Sequence, residues 1–131
     1  MDNKAYYKPV GNNTEVALLS FLQAAEIPVH DLIREKIGKI EYQISFSSVR
    51  KNSAIAIKYE DRDLVRVFVK GAPETLVNSC NSTFDLGGYP SYLNEDEQKR
   101  IAGSVLGDFC KRGLRCLAFA YRDFTIEEFE N

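Results

Sequence analysis

Ile40-Glu41-Tyr42-Gln43-Ile44-Ser45-Phe46-Ser47 alternates apolar and polar side chains at every step. A period of two predicts a half-buried strand, with Ile40, Tyr42, Ile44 and Phe46 on its apolar face. The same signal returns twice downstream. Ile55, Ile57 and Tyr59 give a second strand, and Val65, Val67 and Val69 a third. Glu60-Asp61-Arg62-Asp63 lies between these two as a polar turn, which makes them hairpin partners.

Outward from the strands the pattern is helical. Asn12 is placed to cap a helix, Glu15 follows three residues on as in a capping box, and Val16, Leu19, Leu22 and Ala25 form an apolar stripe. Pro28 opens a short second helix through Glu35, which Gly38 ends. Pro73 starts another that runs to about Cys80, and a loop with Gly87-Gly88 and Pro90 follows. Asn94 with Glu97 repeats the capping pattern, and Ile101, Val105 and Phe109 line the next helix. Lys111 and Arg112 suit the dipole of its last turn, and Gly113 stops it. Gly103 and Gly107 read as close-packing positions. Leu114 to Tyr121 reads as a final strand with Arg115, Leu117 and Phe119 on one face, and the tail after Arg122 is acidic and weakly patterned. Hairpins mixed with helices, without a regular βαβ alternation, predict an α+β fold: a mostly antiparallel β-sheet flanked by helices, in a single domain over 1–131.

Composition narrows the function. A chain of 131 residues with 44% hydrophobic and 27% charged residues suits one globular domain. A formal charge of -2 argues against a nucleic-acid or anionic-membrane binder. No apolar run approaches ~20 residues, and the polar start lacks a signal-peptide core. Cys80, Cys110 and Cys116, odd in number and without paired spacing, predict reduced, mostly buried thiols. His30 has no second ligand at metal spacing, so it is expected to be a surface or half-buried histidine and no metal site is expected. Neither a P-loop nor a Rossmann glycine pattern is present.

Four segments carry chemistry, each with a structural alternative. Lys70-Gly71-Ala72-Pro73-Glu74 ends a valine-rich strand and enters a helix; Gly71 permits close backbone approach there, and Lys70 is either an exposed turn lysine or a fixed cation at the sheet's mouth. Phe46 by default packs in the core; the alternative is a stacking platform for a base, with Lys51 neutralising phosphate. Glu15 is either a helix-capping carboxylate or an acceptor for an adenine amino group. Arg115, a charge in an apolar stretch, needs either a structural carboxylate or a phosphate.

Together and in order these segments resemble one family. Asn13-Thr14-Glu15-Val16-Ala17-Leu18-Leu19 looks like its PTExALL element, Phe46 to Lys51 like its FxSxRK element, and Gly113 to Ala118 like its GLRxLA strand, while Lys70 to Glu74 is its KGAPE motif. The family is the nucleotide-binding domain of P-type cation-transporting ATPases. The resemblance implies that Phe46 stacks on adenine and Glu15 meets its amino edge. It implies that Lys51 and Lys70 line the cleft with Gly71 beneath the base, that Arg115 reaches the phosphates, and that Leu117 is an apolar floor. It further implies ATP as ligand, Mg2+ in the full-length enzyme, and the phosphorylation and actuator domains of the same parent chain as partners. ATP would be delivered to an aspartate on a neighbouring domain, so no catalytic residue is expected here. The piece is expected to be a monomeric cytoplasmic portion of an integral membrane protein, without hydrolytic activity of its own. Phe46 to Lys51 and Ala120 to Phe124 look most like the plasma-membrane type of calcium pump.

This sequence departs from the family in several places. Asn13 stands where the family has proline, and Asn52-Ser53-Ala54 replaces a stretch that usually holds a methionine. The phosphorylatable DKTGT segment is absent. The family's domain begins earlier than this chain, so the expectation is a recombinant piece lacking one or two strands. The competing expectation is a non-catalytic α+β interaction module in which the same residues pack a core.

Overall fold

A computed structural model describes residues 10–36, 38–59 and 61–131, with the side chains of 34–36 left aside. The chain forms two compact units, Met1–Ile37 and Gly38–Asn131.

The first unit holds α1 (Asn13–Ala24) and α2 (Val29–Lys36). Asn12 caps α1, but its carboxamide accepts from the Thr14 N–H at 2.8 Å rather than from that of Glu15, three residues on. Either position satisfies a free N–H of the first turn. Val16 and Leu22 of the expected stripe are half-buried, while Leu19 and Ala25 are exposed. His30 is exposed on α2.

In the second unit β1 (Lys39–Ser47), β2 (Asn52–Tyr59), β3 (Leu64–Gly71) and β6 (Ala118–Phe124) form one antiparallel sheet in the order β1-β2-β3-β6. Together with the helices this is the α+β architecture expected. Pro73 at the first helical position opens α3 (Pro73–Ser79). A small hairpin of β4 (Ser82–Phe84) and β5 (Pro90–Tyr92) occupies the expected loop, closed by Asp85, which accepts from the Gly87 and Tyr89 N–H groups at 2.8 and 2.9 Å. The following helix comprises α4 (Glu95–Arg100), a π turn (Ile101–Val105) and α5 (Leu106–Lys111). Asn94 caps it through the Glu97 N–H at 2.9 Å, while the Glu97 carboxylate engages Arg100. Gly113, at φ 72°, ends it: the Gly113 and Leu114 N–H groups return to Cys110 and Phe109 carbonyls at 2.9 and 3.0 Å. That pair is the Schellman arrangement, which favours glycine at the left-handed position.

Four expectations are corrected. β1 is exposed at every residue but Ser47. It lies at the sheet edge, and its register shifts break the period of two: Ile40 faces Ile57 while Tyr42 faces Ala56, so the two point to opposite sides. The last strand starts at Ala118, not Leu114, because its neighbour β3 leaves the ladder at Gly71 opposite Ala118, and Pro73 beyond has no N–H to offer. Gly103 and Gly107 face open space, so close packing does not explain them. Cys110 is exposed, with Cys80 and Cys116 only half-buried; all three are free thiols. The weakly patterned tail also completes β6 and then forms α6 (Ile126–Glu130), opened by a reciprocal capping box between Thr125 and Glu128. No described helix is long and apolar enough to cross a membrane.

Among the described residues, Ala56, Ile57, Val65, Leu76 and Leu93 are the buried hydrophobic side chains of the core. On one sheet face Arg66 of β3 and Asp123 of β6 stand directly opposite and form a two-pronged pair at 2.6 and 2.8 Å. The Arg66 guanidinium also lies 4.2 Å from the Tyr121 ring centre, and Phe84 of the β4-β5 hairpin stacks on the same tyrosine. The Arg66 hydrogen bonds hold the Asp123 carboxyl below the usual aspartate range and raise Arg66 in turn. A depressed carboxylate contributes stability that is present above its unfolded value, near 3.8, and is lost as pH falls through the lower folded value. Asp123→Asn is therefore expected to lower the melting temperature by a few degrees at neutral pH. The gap from wild type should close as the solution is acidified below the aspartate range. Thermal melts across pH check this; a gap independent of pH contradicts it.

Candidate functional site

Six of the seven residues singled out by sequence lie in the second unit, and the sheet register gathers them at one end. Ser47 faces Asn52, Asn52 faces Gly71 and Gly71 faces Ala118, while Ser53 faces Lys70 and Lys70 faces Phe119. Neighbouring strands run about 4.8 Å apart. The end of β1, the start of β2, the end of β3 and the start of β6 therefore form one rim. Phe46 precedes Ser47, Lys51 stands in the turn to β2, Lys70 and Gly71 finish β3, and Arg115 and Leu117 lead into β6. Glu15 lies exposed in the first turn of α1, in the first unit.

The turn between β1 and β2 is built by its own polar groups. The Lys51 N–H donates to the Ser47 carbonyl at 2.7 Å. The Ser47 hydroxyl accepts from the Val49 and Arg50 N–H groups at 3.3 and 3.4 Å, and the Arg50 guanidinium donates to the Ser45 carbonyl at 2.9 Å. Lys51 is left-handed at φ 55°, an uncommon conformation for a residue with a side chain. Its carbonyl is thereby free to accept the Ala72 N–H at 3.0 Å, which ties the turn to the exit of β3.

That tie explains Gly71. A Cβ there would lie 2.6 Å from the Lys51 carbonyl oxygen and 2.7 Å from the Asn52 Cβ, too close for any side chain. The glycine permits two backbones to meet, as its place in the motif led one to expect.

The other candidates divide by exposure. Phe46 is 65% exposed and is not a core residue, so the default reading of its apolar alternation does not hold. Lys51 reaches the Glu74 carboxylate at 3.8 Å, with both side chains about 60% exposed. Such an open pair contributes little and exchanges readily for another anion. Lys70 is half-buried at the end of β3. Arg115 is exposed, and among the described residues no carboxylate lies within ion-pairing distance of it. Arg115 and Leu117 border a groove of about 420 Å³ whose walls include Pro73, Val77, Ile101 and Phe109. An exposed ring and several cations at one end of a sheet suit a ligand with a flat apolar part and an anionic part. An aromatic base bearing phosphates fits that donor set. Sequence reasoning passed over Ser47, Arg50 and Glu74, although all three lie inside the two motifs.

A family profile described as the P-type ATPase cytoplasmic domain N matches residues 1–131. Among curated proteins the chain is 33% identical over 121 residues to the plasma membrane calcium-transporting ATPase 1 of Gallus gallus, covering 91% of this chain and 10% of that one. It is 36% identical over 125 residues to the plasma membrane calcium-transporting ATPase 3 of Homo sapiens, covering 90% and 10%. It is 29% identical over 128 residues to the calcium-transporting ATPase PAT1 of Dictyostelium discoideum, covering 98% and 11%. The chain thus spans about a tenth of the length of these relatives.

Gly71→Ala is expected to destabilise the second unit by about 1–3 kcal/mol, since backbone must move to admit the methyl group. Urea unfolding measures this. A substitution neutral within error contradicts the close approach.

Proposed function

The chain belongs to the family of P-type ATPase cytoplasmic N domains, and from that membership we propose that it holds ATP at the sheet end bearing Phe46, Lys51, Lys70 and Arg115. The observation that carries this reading is the exposed Phe46 ring, at the end of β1 that shares a rim with the lysines. Phe46 stacks on the adenine, and Lys51 leaves Glu74 to meet the nucleotide. Lys70 lines the cleft, Gly71 brings backbone beneath the base, Leu117 is its apolar floor, and Arg115 meets phosphate. The role of Glu15, which lies in the first unit, rests on the resemblance alone. Mg2+ accompanies the nucleotide in the full-length enzyme.

In the parent protein the bound ATP is the phosphoryl donor to an aspartate on a separate domain, coupled to cation transport. The relatives' names make Ca2+ the favoured cation and the plasma membrane the favoured setting. Under this reading the 131-residue chain binds ATP, hydrolyses none, and works with the phosphorylation and actuator domains of its parent.

The affinity follows from the parts. One stack at roughly 1–3 kcal/mol and one or two charge-assisted bonds at roughly 1.5–3 kcal/mol each oppose an association cost of at least ~4 kcal/mol. The outcome is a dissociation constant in the high-micromolar to millimolar range. Calorimetric titration with ATP is expected to show a roughly 5- to 100-fold loss for Phe46→Ala, with a stability change within about 0.5 kcal/mol, as befits an exposed residue. Unchanged affinity together with a core-sized loss of roughly 3–5 kcal/mol would instead establish the packing role and sink the nucleotide reading.

A further inference from the structure

Phe46 owes its position to a β-bulge. Between Ile44, opposite Ala54, and Ser47, opposite Asn52, β1 advances three residues while β2 advances two. The extra residue takes Ser45 and Phe46 out of the regular ladder, so no neighbouring strand fixes where the Phe46 ring points. Bulges bend a strand and re-aim side chains, and they require some other group to take up the hydrogen bonds the ladder drops. Here that group is Arg50, whose guanidinium donates to the Ser45 carbonyl at 2.9 Å across five residues. The Arg50 N–H is itself held by the Ser47 hydroxyl, so both ends of the bulge close on one residue.

We propose that Arg50 is a positioning residue for the base: it braces the bulge at Ser45 so that the Phe46 ring stands ready for stacking, and it does not act on the phosphates. This rests on the nucleotide reading above. A guanidinium committed to a main-chain carbonyl has its fork turned back onto its own strand, whereas Lys51 next to it holds only an open, exposed partner. The two adjacent cations of the turn therefore divide the work, Arg50 on the base side and Lys51 on the phosphate side.

The test compares adenosine with ATP as ligands. Arg50→Met keeps the length of the stem and removes the donor. Its binding of both ligands is expected to weaken by the same factor, roughly 3- to 10-fold, a part of the full stacking contribution. In a Phe46→Ala background the same substitution is expected to change nothing further, because there is no ring left to aim. Lys51→Met is expected to weaken ATP and leave adenosine unaffected. Ser47→Ala, which loosens the other end of the bulge, repeats the Arg50 pattern and serves as a second variant should Arg50→Met fold poorly. Loss of ATP binding alone in Arg50→Met makes Arg50 a phosphate contact and overturns the proposal. So does a loss that persists in full without Phe46, or no loss in either the Arg50 or the Ser47 variant. If Phe46→Ala alone leaves both ligands bound as before, it is the nucleotide reading that fails, and the two failures are told apart.

Discussion

The candidate site depends on one close approach: the exit of β3 passes over the turn between β1 and β2 with no side chain between them. Gly71 makes the contact possible, and the Ala72 N–H to Lys51 carbonyl bond makes it specific. That bond requires Lys51 to be left-handed, which in turn is held by the hydrogen bonds of Ser47. From this junction Phe46 is one bulge away in β1, Lys70 is the preceding residue of β3, and Pro73 turns the chain at once into α3. Two motifs about twenty residues apart are thus one structural unit.

The junction also differs from a P-loop. A P-loop wraps phosphate in successive backbone N–H groups; here the Ala72 N–H is consumed within the sheet end, and the groups left to a ligand are side chains on a rim. The sheet behind them is braced by the Arg66–Asp123 pair and the ring stack of Tyr121 and Phe84, with Arg66 four residues before Lys70 on β3 and so back from the rim. Rigid support and open contact residues are thus separated along the strands, which suits weak, exchangeable binding.

Much of the fold was legible because its signals are local. The alternation at 55–59 and 65–69, Pro73 at a helix start and Gly113 at a helix end all read correctly from neighbours in sequence. What failed depends on distant partners. Leu114–Leu117 alternates like a strand, yet only the length of β3 decides that it has nothing to pair with. Phe46 continues an apolar alternation, and nothing in the alternation reveals that β1 is an edge strand twice shifted in register. The three-residue strands β4 and β5 are too short for a period to show. Arg66 finds Asp123 across 57 residues, a pairing visible only in the register. The Thr125–Glu128 capping box, by contrast, stands plainly in the sequence and was passed over in an acidic tail.

The central claim is that one end of this sheet receives ATP. Backbone amide chemical shifts, followed as ATP is added to millimolar concentration, locate the ligand without any substitution. The account predicts that the changing amides cluster at Phe46–Asn52, Lys70–Ala72 and Arg115–Phe119, leaving the far end of the sheet around Arg66 and Asp123 still. Changes centred on that far end, or none at the rim, would contradict it.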